Sequence, residues 1–354
     1  MSRPRFSVVV PTFDRREALA RTLAAYANQA PATPAFEVVV VDDGSTDGSA
    51  ELLASWPAGR FPLQVARQAN RGPAAARNRA LALASGEIVL FTGDDIEPAA
   101  DLLVRHDAAH RATPDGRTAY FGRIDWPARL ATTATMRHVT GRGAQQFSFH
   151  YLEDGGEYDY RHFYTSNVSV SRALLSREPG PFSEDFPAAA FEDAELAYRL
   201  SRHGLTLRYL ASALAWHWHH YDARTFFARQ VRCGEMADLL IAKHPATRRE
   251  LDLALLPLVR WRSWLVERLG RGRLRALAQG LPERLDEALA LATRLDAGDD
   301  AAAEPLLLAL FRFGFLAGVA RRRYPPPVAR RVEAALFARL LDEPVVRARK
   351  LGSG

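Results

Sequence analysis

Two neighbouring carboxylates, Asp42 and Asp43, follow a short apolar run early in the chain. A turn that caps the next helix needs one acid, so the second is available for other chemistry. Gly44 directly behind them allows a tight turn. The pair predicts carboxylates that accept hydrogen bonds from a nucleoside base or a ribose. The alternative is a turn that does no more than cap the following helix.

A second acidic pair, Asp94 and Asp95, stands in 92–98 (TGDDIEP), again after an apolar run. Carboxylate oxygens within one loop suit hard divalent cations such as Mg²⁺ or Mn²⁺. The segment 216–220 (WHWHH) adds three histidines, whose imidazole nitrogens also bind metals. The alternatives are an acidic loop ahead of a helix and a histidine cluster with a structural role.

Arg77 lies in a run of small residues, 70–78 (NRGPAAARN), where glycine and alanine let a ligand come close. Its guanidinium is a candidate contact for a diphosphate, and an exposed arginine on a small-residue helix is the alternative. Glu192, Asp193 and Glu195 open a helical stretch further on. Acids in a first turn complement the helix dipole, and one of these is also a candidate general base for an alcohol.

The first half of the chain alternates between strand and helix, and these elements must position the acidic pairs. The β-branched runs are 6–10, 36–41, 63–66 and 87–91, the helical stretches between them are 15–28, 49–55 and 72–84, and 165–170, 193–203 and 205–210 continue as strand, helix and strand. Such alternation predicts a mostly parallel sheet with helices on both faces. Ligands bind such sheets beyond the carboxyl ends of the strands, where both acidic pairs stand.

Beyond Tyr221 alanine, leucine and arginine recur with helical periodicity. The chain therefore divides, by prediction, into an α/β domain at 1–220 and an α-helical region at 221–354. The segment 296–304 is predicted to be an exposed linker between helices. The stretch 305–320 is shorter than the roughly 18 apolar residues that span a bilayer, and Arg312 interrupts it. It predicts a buried helix or, as the alternative, an interfacial helix whose arginines meet anionic lipid.

The composition is that of a globular protein, with 354 residues, 48% hydrophobic and 25% charged. The formal net charge of +6 suits anionic partners, and no nucleic-acid-binding motif accompanies it. Cys233 is the one cysteine, which excludes an internal disulfide. The first apolar run is too short for a signal peptide, so we expect a cytoplasmic protein, with room for peripheral membrane contact through the C-terminal helices.

The motifs together resemble those of one known family, the family 2 inverting glycosyltransferases with the GT-A fold. In chain order they are PTFDR, VVDDGSTD, NRGPAAARN, GDD, NVSVS, EDAEL and a late histidine. The resemblance extends from residue 5 to residue 220 and implies a Rossmann-like α/β domain. It also implies a nucleotide-sugar donor, a divalent cation (Mn²⁺ or Mg²⁺), and a glycan, lipid-linked or small-molecule acceptor, in glycan, polysaccharide or glycoconjugate biosynthesis.

The resemblance also implies roles for individual residues. The residues expected to bind the nucleotide sugar are Pro11, Thr12, Asp42, Asp43, Arg77 and Asp94. Metal binding falls to Asp95 and His217, and the general base is Asp193, with Glu192 beside it. Asn167 and Ser169 match the motif that precedes the acceptor side.

Two departures from the family pattern change what we expect of the metal ligands and of processivity. Gly93 takes the place of the first of three acids, which leaves Asp95 as the main metal ligand. Arg260 and Trp261 match only the end of the Gln-x-x-Arg-Trp motif of processive members, so a non-processive enzyme is expected. Two alternatives stay open: a degenerate member that binds nucleotides as a scaffold, and a sugar nucleotidyltransferase. The segment 11–15 lacks the glycine-rich loop that a nucleotidyltransferase needs.

Overall fold

The structure, a computed structural model, describes residues 3–59, 61–251, 277–298 and 300–351. The chain forms two compact units, one of residues 1–130 and 149–219, the other of residues 131–148 and 220–354. The segment 131–148 thus packs with the second unit, although it falls inside the predicted first domain. The division into domains 1–220 and 221–354 stays a prediction.

One mixed sheet in the first unit contains nine strands of the described residues. They are β1 (Phe6–Thr12), β2 (Phe36–Asp42), β3 (Leu63–Arg67), β4 (Ile88–Thr92), β5 (Ile96–Pro98), β6 (Thr118–Asp125), β7 (Glu157–Tyr158), β8 (Asn167–Ser171) and β9 (Thr206–His217). The order is β3-β2-β1-β4-β8-β6-β9-β5, and β7 pairs with β9. Strands β1 to β4 run parallel, and β8 runs antiparallel to both β4 and β6. Because β9 is parallel to β6, most strands point the same way, which confirms the predicted mostly parallel sheet.

Both units contain helices among the described residues. They are α1 (Arg16–Ala27), α2 (Ser49–Ala54), α3 (Pro73–Leu83), α4 (Leu102–Ala112), α5 (Ala134–Thr140), α6 (Arg172–Leu175), α7 (Glu192–Ser201), α8 (Ala223–Lys243), α9 (Leu281–Leu295), α10 (Asp300–Arg323) and α11 (Pro326–Leu351), with 3₁₀ turns at Phe149–Tyr151, Tyr160–His162 and Pro245–Thr247. The first unit uses its helices to cover the sheet. The described residues of the second unit are mainly helical, which confirms the predicted helical C-terminal region.

The two central strands β1 and β2 each contain a run of valines because both faces of the sheet are covered. Val8, Val9 and Val10 of β1 have no exposed surface, and the valines of β2 have none either. An unbroken run of β-branched residues is the pattern expected of such doubly covered strands. Helix α3 packs against β1 and β2 through its buried alanines, whose small side chains let the helix lie close to the sheet.

A close helix crossing forms the core of the second unit. A Cβ atom added at Gly234 of α8 would lie 1.9 Å from the carbonyl oxygen of Phe315 in α10. A Cβ atom added at Gly318 of α10 would lie 1.9 Å from the carbonyl oxygen of Val231 in α8. Neither position has room for a side chain, so the two glycines set the distance between the helices.

The prediction of an exposed linker at 296–304 is wrong. Asp296 is only 5% exposed, and α10 already begins at Asp300. The Asp296 carboxylate accepts hydrogen bonds of 2.8 Å from the backbone N–H groups of Thr135 and Ala223. These groups lie at the N-termini of α5 and α8, which need acceptors there. The acidic composition that suggested solvent exposure therefore includes a buried cap shared by two helices.

Helix α10 contains the predicted apolar stretch. Within the described residues it is the one helix long and apolar enough to cross a membrane, over Ala303–Arg323. Its most apolar stretch is 72% buried, and Leu306, Phe311 and Phe313 have no exposed surface. A core helix passes the same length and composition test, and this burial favours the predicted buried helix over an interfacial one.

Candidate functional site

The predicted site residues gather at one edge of the sheet. Strands β1 and β2 end side by side, with Thr12 opposite Asp42. Strand β4 ends at Thr92, opposite the first residue of antiparallel β8. Strand β9 ends at His217 and reaches the same edge beside β6, which points the same way. The loops that carry both acidic pairs and the late histidines therefore leave the sheet together.

Asp95 stands at the centre of a cluster of metal-binding side chains. Its Oδ2 atom lies 3.3 Å from Nε2 of His217 and 3.5 Å from Nδ1 of His219. The backbone N–H of Trp218 donates to the Asp95 carbonyl at 2.8 Å, which ties the histidine segment to the acidic loop. The carboxylate and the two imidazoles offer ligand atoms within 4.8 Å of one another. Arg15 Nη1 also binds the Asp95 carboxylate.

The electrostatics of this cluster favour metal-binding forms of its side chains. Burial alone would raise the pKa of Asp95, but His217, His219 and Arg15 outweigh it and hold that pKa well below its usual range. Burial lowers the pKa of His217 in spite of the Asp95 charge, so its imidazole is neutral at pH 7. A carboxylate and two imidazoles fit Mn²⁺ better than Mg²⁺, which prefers oxygen ligands alone.

His219, one of the three candidate histidines of 216–220, completes this cluster although the resemblance did not assign it a role. The prediction named Asp95 and His217 only. Two histidines spaced by two residues lie on the same side of an extended segment, which is the signal that points to the pair. The rings of His217 and His219 stack with centroids 5.4 Å apart, and Trp126 stacks on His217 at 5.3 Å.

Asp94 faces the first loop and the end of β1. Its Oδ2 atom accepts a 2.8 Å hydrogen bond from the Thr12 hydroxyl, and Thr22 donates to its carbonyl at 2.8 Å. Burial and the charge of Asp95 raise the pKa of Asp94 to about 7, against the opposing effects of Arg15 and Thr12. The structure thus brings the predicted residues Thr12 and Asp94 together. Pro11 precedes Thr12 in β1 and is half-buried.

Asp42 and Asp43 hold the loops around them. Asp42 accepts a 2.8 Å hydrogen bond from the backbone N–H of Ser45. Asp43 accepts from the backbone N–H groups of Arg71 at 3.0 Å and Gly72 at 2.8 Å, at the start of α3. Both carboxylates therefore have a loop-fixing role, and contact of either one with a base or ribose stays a prediction.

Arg77 and Glu192 form a buried ion pair. Arg77 Nη1 donates to Glu192 Oε1 at 2.8 Å, and the side chains are 9% and 2% exposed. Within the described part of the chain, neither Arg77 Nε nor Glu192 Oε2 has a hydrogen-bond partner. Burial and the charge of Asp193 raise the pKa of Glu192 to about 7, against Arg77. The pair keeps one unsatisfied donor and one unsatisfied acceptor, which a ligand can use.

Asp193 lies in the first turn of α7 and is half-buried. Phe191, two residues before Asp193, has φ +65°, a left-handed conformation that is rare for a bulky residue. The Asp193 carboxylate accepts hydrogen bonds from the backbone N–H groups of Ala194, at 2.8 Å, and Thr165. Burial raises the pKa of Asp193, although Arg77 and these bonds oppose the rise. Glu195, the third acid of the motif, instead binds Arg199.

The base candidate lies close in the fold to the acidic metal loop. Thr165, whose backbone N–H binds the Asp193 carboxylate, precedes β8 by two residues. The first residue of β8, Asn167, pairs with Thr92 at the end of β4, and the loop with Asp95 follows directly. Asp95 therefore follows the end of β4, and Asp193 is bonded to the segment that leads into the neighbouring strand β8.

A buried polar network beneath this edge was also missed. Asn167 Oδ1 lies 3.0 Å from Nε2 of His106. The Ser169 hydroxyl lies 2.8 Å from both His106 Nδ1 and His110 Nε2. Two histidines four residues apart on α4 share a helix face, which is the signal for such a pair. Asn167 and Ser169 thus join α4 to β8 from inside the unit.

A cavity of about 770 Å³ lies at the opposite, amino edge of the sheet. Its lining includes Arg3, Glu37 and Arg172, and each of these already binds neighbouring protein groups. No predicted site residue lines this cavity. Among the described residues, the predicted site residues therefore lie at the carboxyl edge and not at this cavity. Arg260 and Trp261, the remnant of the processive motif, lie outside the described residues.

Comparison with known proteins shows which family the sequence resembles. Residues 7–149 match the sequence profile of Glycosyl transferase family 2. Over these residues the chain belongs to glycosyltransferase family 2. It is 30% identical over 275 residues to validoxylamine A glucosyltransferase of Streptomyces hygroscopicus subsp. jinggangensis, and 28% identical over 256 residues to the uncharacterized glycosyltransferase YfnE of Bacillus subtilis. These matches cover 71% and 60% of this chain, and 64% of each relative's length.

A solved structure shows the same fold. The mannosyltransferase PcManGT of Pyrobaculum calidifontis, in complex with GDP-Man and Mn²⁺, superposes with a TM-score of 0.55 at 23% identity. The match covers 89% of this chain and 88% of that one. The predicted GT-A fold and family are confirmed.

Proposed function

We propose that this family 2 member transfers a sugar, non-processively and with inversion, from a nucleoside-diphosphate sugar to an acceptor hydroxyl. The proposal is carried by two groups near the carboxyl edge of one sheet. One is the Asp95, His217 and His219 ligand set, and the other is Asp193, a carboxylate whose pKa is raised by burial. A transferase needs both, a cation for the leaving diphosphate and a base for the attacking hydroxyl.

The divalent cation is best held by Asp95, His217 and His219. When bound, it offsets the charge that develops on the departing diphosphate. The imidazole-containing donor set supports Mn²⁺, and so does the presence of Mn²⁺ with GDP-Man in the mannosyltransferase of the same fold. The unsatisfied Nε of Arg77 and the Thr12–Asp94 pair at the end of β1 supply polar contacts for the donor.

Asp193 takes the proton in the proposed step. The acceptor oxygen forms a bond to the anomeric carbon while its proton passes to the Asp193 carboxylate. The bond from that carbon to the diphosphate oxygen breaks, and its electron pair leaves with the nucleoside diphosphate. Attack from the face opposite the leaving group inverts the anomeric configuration. The raised pKa of Asp193 makes it a stronger base than an exposed aspartate.

The two alternatives make different predictions. A nucleotide-binding scaffold predicts nucleotide binding without turnover of any donor, and a nucleotidyltransferase predicts formation of the sugar nucleotide from a sugar phosphate. The chain's own acidic base candidate at α7, which a scaffold does not need, favours transfer. A cytoplasmic location, a glycan, lipid-linked or small-molecule acceptor, and peripheral membrane contact stay predictions.

Asp193→Asn tests the proposed base directly. A thermal-shift screen with UDP-, GDP- and dTDP-sugars and Mn²⁺ first selects the donor, and transfer to a panel of glycosides and lipid-linked sugars is then followed by mass spectrometry. We expect the variant to melt like the wild type and to lose transfer by about 10²- to 10⁴-fold, the usual contribution of a general base.

Asp185→Asn is the matched control, because it makes the same change at an exposed aspartate near α7. We expect it to keep wild-type transfer. If Asp193→Asn transfers sugar as well as Asp185→Asn does, Asp193 is not the base.

A further inference from the structure

Arg15 occupies the centre of the proposed metal site. Its Nη1 atom binds Oδ2 of Asp95, the same oxygen that faces both imidazoles. The same Nη1 atom lies 3.4 Å from Nδ1 of His219. One guanidinium nitrogen thus contacts two of the atoms that a divalent cation would use. Two cations that close repel each other, so Arg15 and a metal ion compete for this oxygen.

We propose that Arg15 and the divalent cation exchange on Asp95, and that the displaced guanidinium then binds the diphosphate of the donor. The inference rests on the proposed function for the identity of that diphosphate. Arg15 is in this view a positioning residue that couples the binding of metal to the binding of donor.

The backbone around Arg15 is held while its side chain has room to move. The Asp14 backbone N–H donates to the Ser45 hydroxyl at 2.9 Å, and the Asp14 carboxylate accepts from the Thr46 backbone N–H at 2.6 Å. The next residue, Arg16, donates its backbone N–H to Asp47 at 2.7 Å. The Arg15 side chain itself is 38% exposed. A fixed base and a long, partly solvated side chain allow a swing without refolding of the loop.

The displaced guanidinium has a suitable ligand nearby. Arg15 follows the end of β1 by three residues, and Thr12 at that end binds Asp94. This is the edge where the family resemblance predicts that the nucleotide binds. A guanidinium presents paired N–H donors that match phosphate oxygens. Release from Asp95 therefore does not leave the arginine without an anionic partner once the donor binds.

The exchange has a thermodynamic signature. If Arg15 holds Asp95 in most molecules, only a fraction of them can take up metal, and the apparent affinity falls by that fraction. A diphosphate that captures the released arginine raises metal affinity, and by reciprocity the metal raises diphosphate affinity by the same factor. Removal of the guanidinium should strengthen the binding of metal alone and weaken the binding of diphosphate in the presence of metal.

Mn²⁺ binding by the full chain tests whether Arg15 competes with the metal for Asp95. Electron paramagnetic resonance of free Mn²⁺ gives the dissociation constant for the wild type, Arg15→Gln and Arg129→Gln without nucleotide. Arg129 stacks on Trp218 and lies 3.5 Å from Glu97, so its removal deletes a nearby charge without touching Asp95. We expect Arg15→Gln to bind Mn²⁺ about tenfold more tightly, for a metal-competent fraction of about one in ten. Arg129→Gln should change the affinity by about twofold at most, as an exposed charge does.

Calorimetric titration with UDP and GDP at saturating Mn²⁺ tests whether the displaced guanidinium binds the diphosphate. Arg15→Gln should bind the nucleotide that the wild type prefers about tenfold more weakly, the loss expected for one charge-assisted contact. His217→Ala should weaken Mn²⁺ binding in both the wild-type and the Arg15→Gln background, which places the metal at Asp95.

The outcomes separate the exchange from the proposed function. Tighter Mn²⁺ and weaker nucleotide in Arg15→Gln support the exchange even if no acceptor receives sugar, in which case the proposed function alone fails. Equal Mn²⁺ affinities for Arg15→Gln and Arg129→Gln overturn the exchange while sugar transfer stands. Absence of Mn²⁺ binding from every variant overturns the exchange as well.

Discussion

At the scale of single residues, the site combines neighbouring carboxylates whose protonation differs because their surroundings differ. Asp95 is held ionised by two histidines and an arginine, and beside it the pKa of Asp94 rises to about 7. Glu192 and Asp193 form the second pair, in which burial raises the pKa of both. Adjacent acids that cannot both ionise at low cost are a recognised way to tune one of them for proton transfer.

The pH profile of transfer should report this tuning. Asp193 acts only when deprotonated, so the rate should rise with pH on the acid side, at higher pH than an exposed aspartate with a pKa of about 3.9 would give. Glu192→Gln removes the carboxyl group that pairs with Arg77, so the guanidinium should lower the pKa of Asp193 further, which moves the acid limb of kcat/KM to lower pH. Steady-state rates between pH 4 and 9 measure the limb. A limb that stays in place or moves to higher pH would show that Asp193 does not control it.

At the scale of elements, the doubly covered strands were predictable from sequence. The run predicted at 36–41 is the strand Phe36–Asp42, because burial on both faces favours its four consecutive valines, Val38 to Val41. Strand β6 was missed because its register is set by tertiary contacts. A Cβ atom added at Gly122 in that strand would lie 2.2 Å from the carbonyl oxygen of Ala213, and the pairing with β9 shifts there. No local pattern reports such an approach.

The sequence predicted which residues form the site, but it did not predict which of them contact one another. Acids at strand ends marked the binding edge because topology, which the strand pattern reveals, brings those ends together. The ion pair of Arg77 with Glu192 joins residues 115 positions apart, and sequence spacing carries no trace of it. For the same reason the sequence did not reveal that Asp43 fixes the loop at Gly72, or that Arg15 binds Asp95.

The crossing of α8 and α10 should depend on its glycines. Gly234→Ala places a methyl group 1.9 Å from a backbone oxygen, so the helices must move apart. We expect a loss of about 2–4 kcal/mol in the free energy of unfolding, at or above the usual cost of overpacking a core. Urea denaturation followed by circular dichroism measures it. Gly298→Ala is the control, since its new Cβ would meet only the Leu295 carbonyl oxygen, at 3.4 Å. Equal stabilities for the two variants would contradict the close crossing.

At the scale of the whole molecule, chemistry and helical packing are divided between the two units. Every residue predicted for donor, metal or base lies in the unit of residues 1–130 and 149–219. The second unit is built around α8 and α10, with Asp296 capping two of its helices. Residues 7–149, which match the family, lie mostly in the first unit. This division predicts that donor and metal act on the first unit alone.

Hydrogen–deuterium exchange with and without nucleotide tests that division. Mn²⁺ with UDP or GDP, at about a hundredfold excess over its dissociation constant, stabilises the state that binds it by roughly 2.7 kcal/mol. We expect slower exchange in peptides that contain Asp43, Asp95 and His217, and unchanged exchange in α10 and α11. His217→Ala should lose the protection because it loses the metal, whereas Asp193→Asn should keep it because the base is not needed for donor binding. Protection of α10 and α11 as strong as that of the Asp95 loop would show instead that the second unit takes part in donor binding.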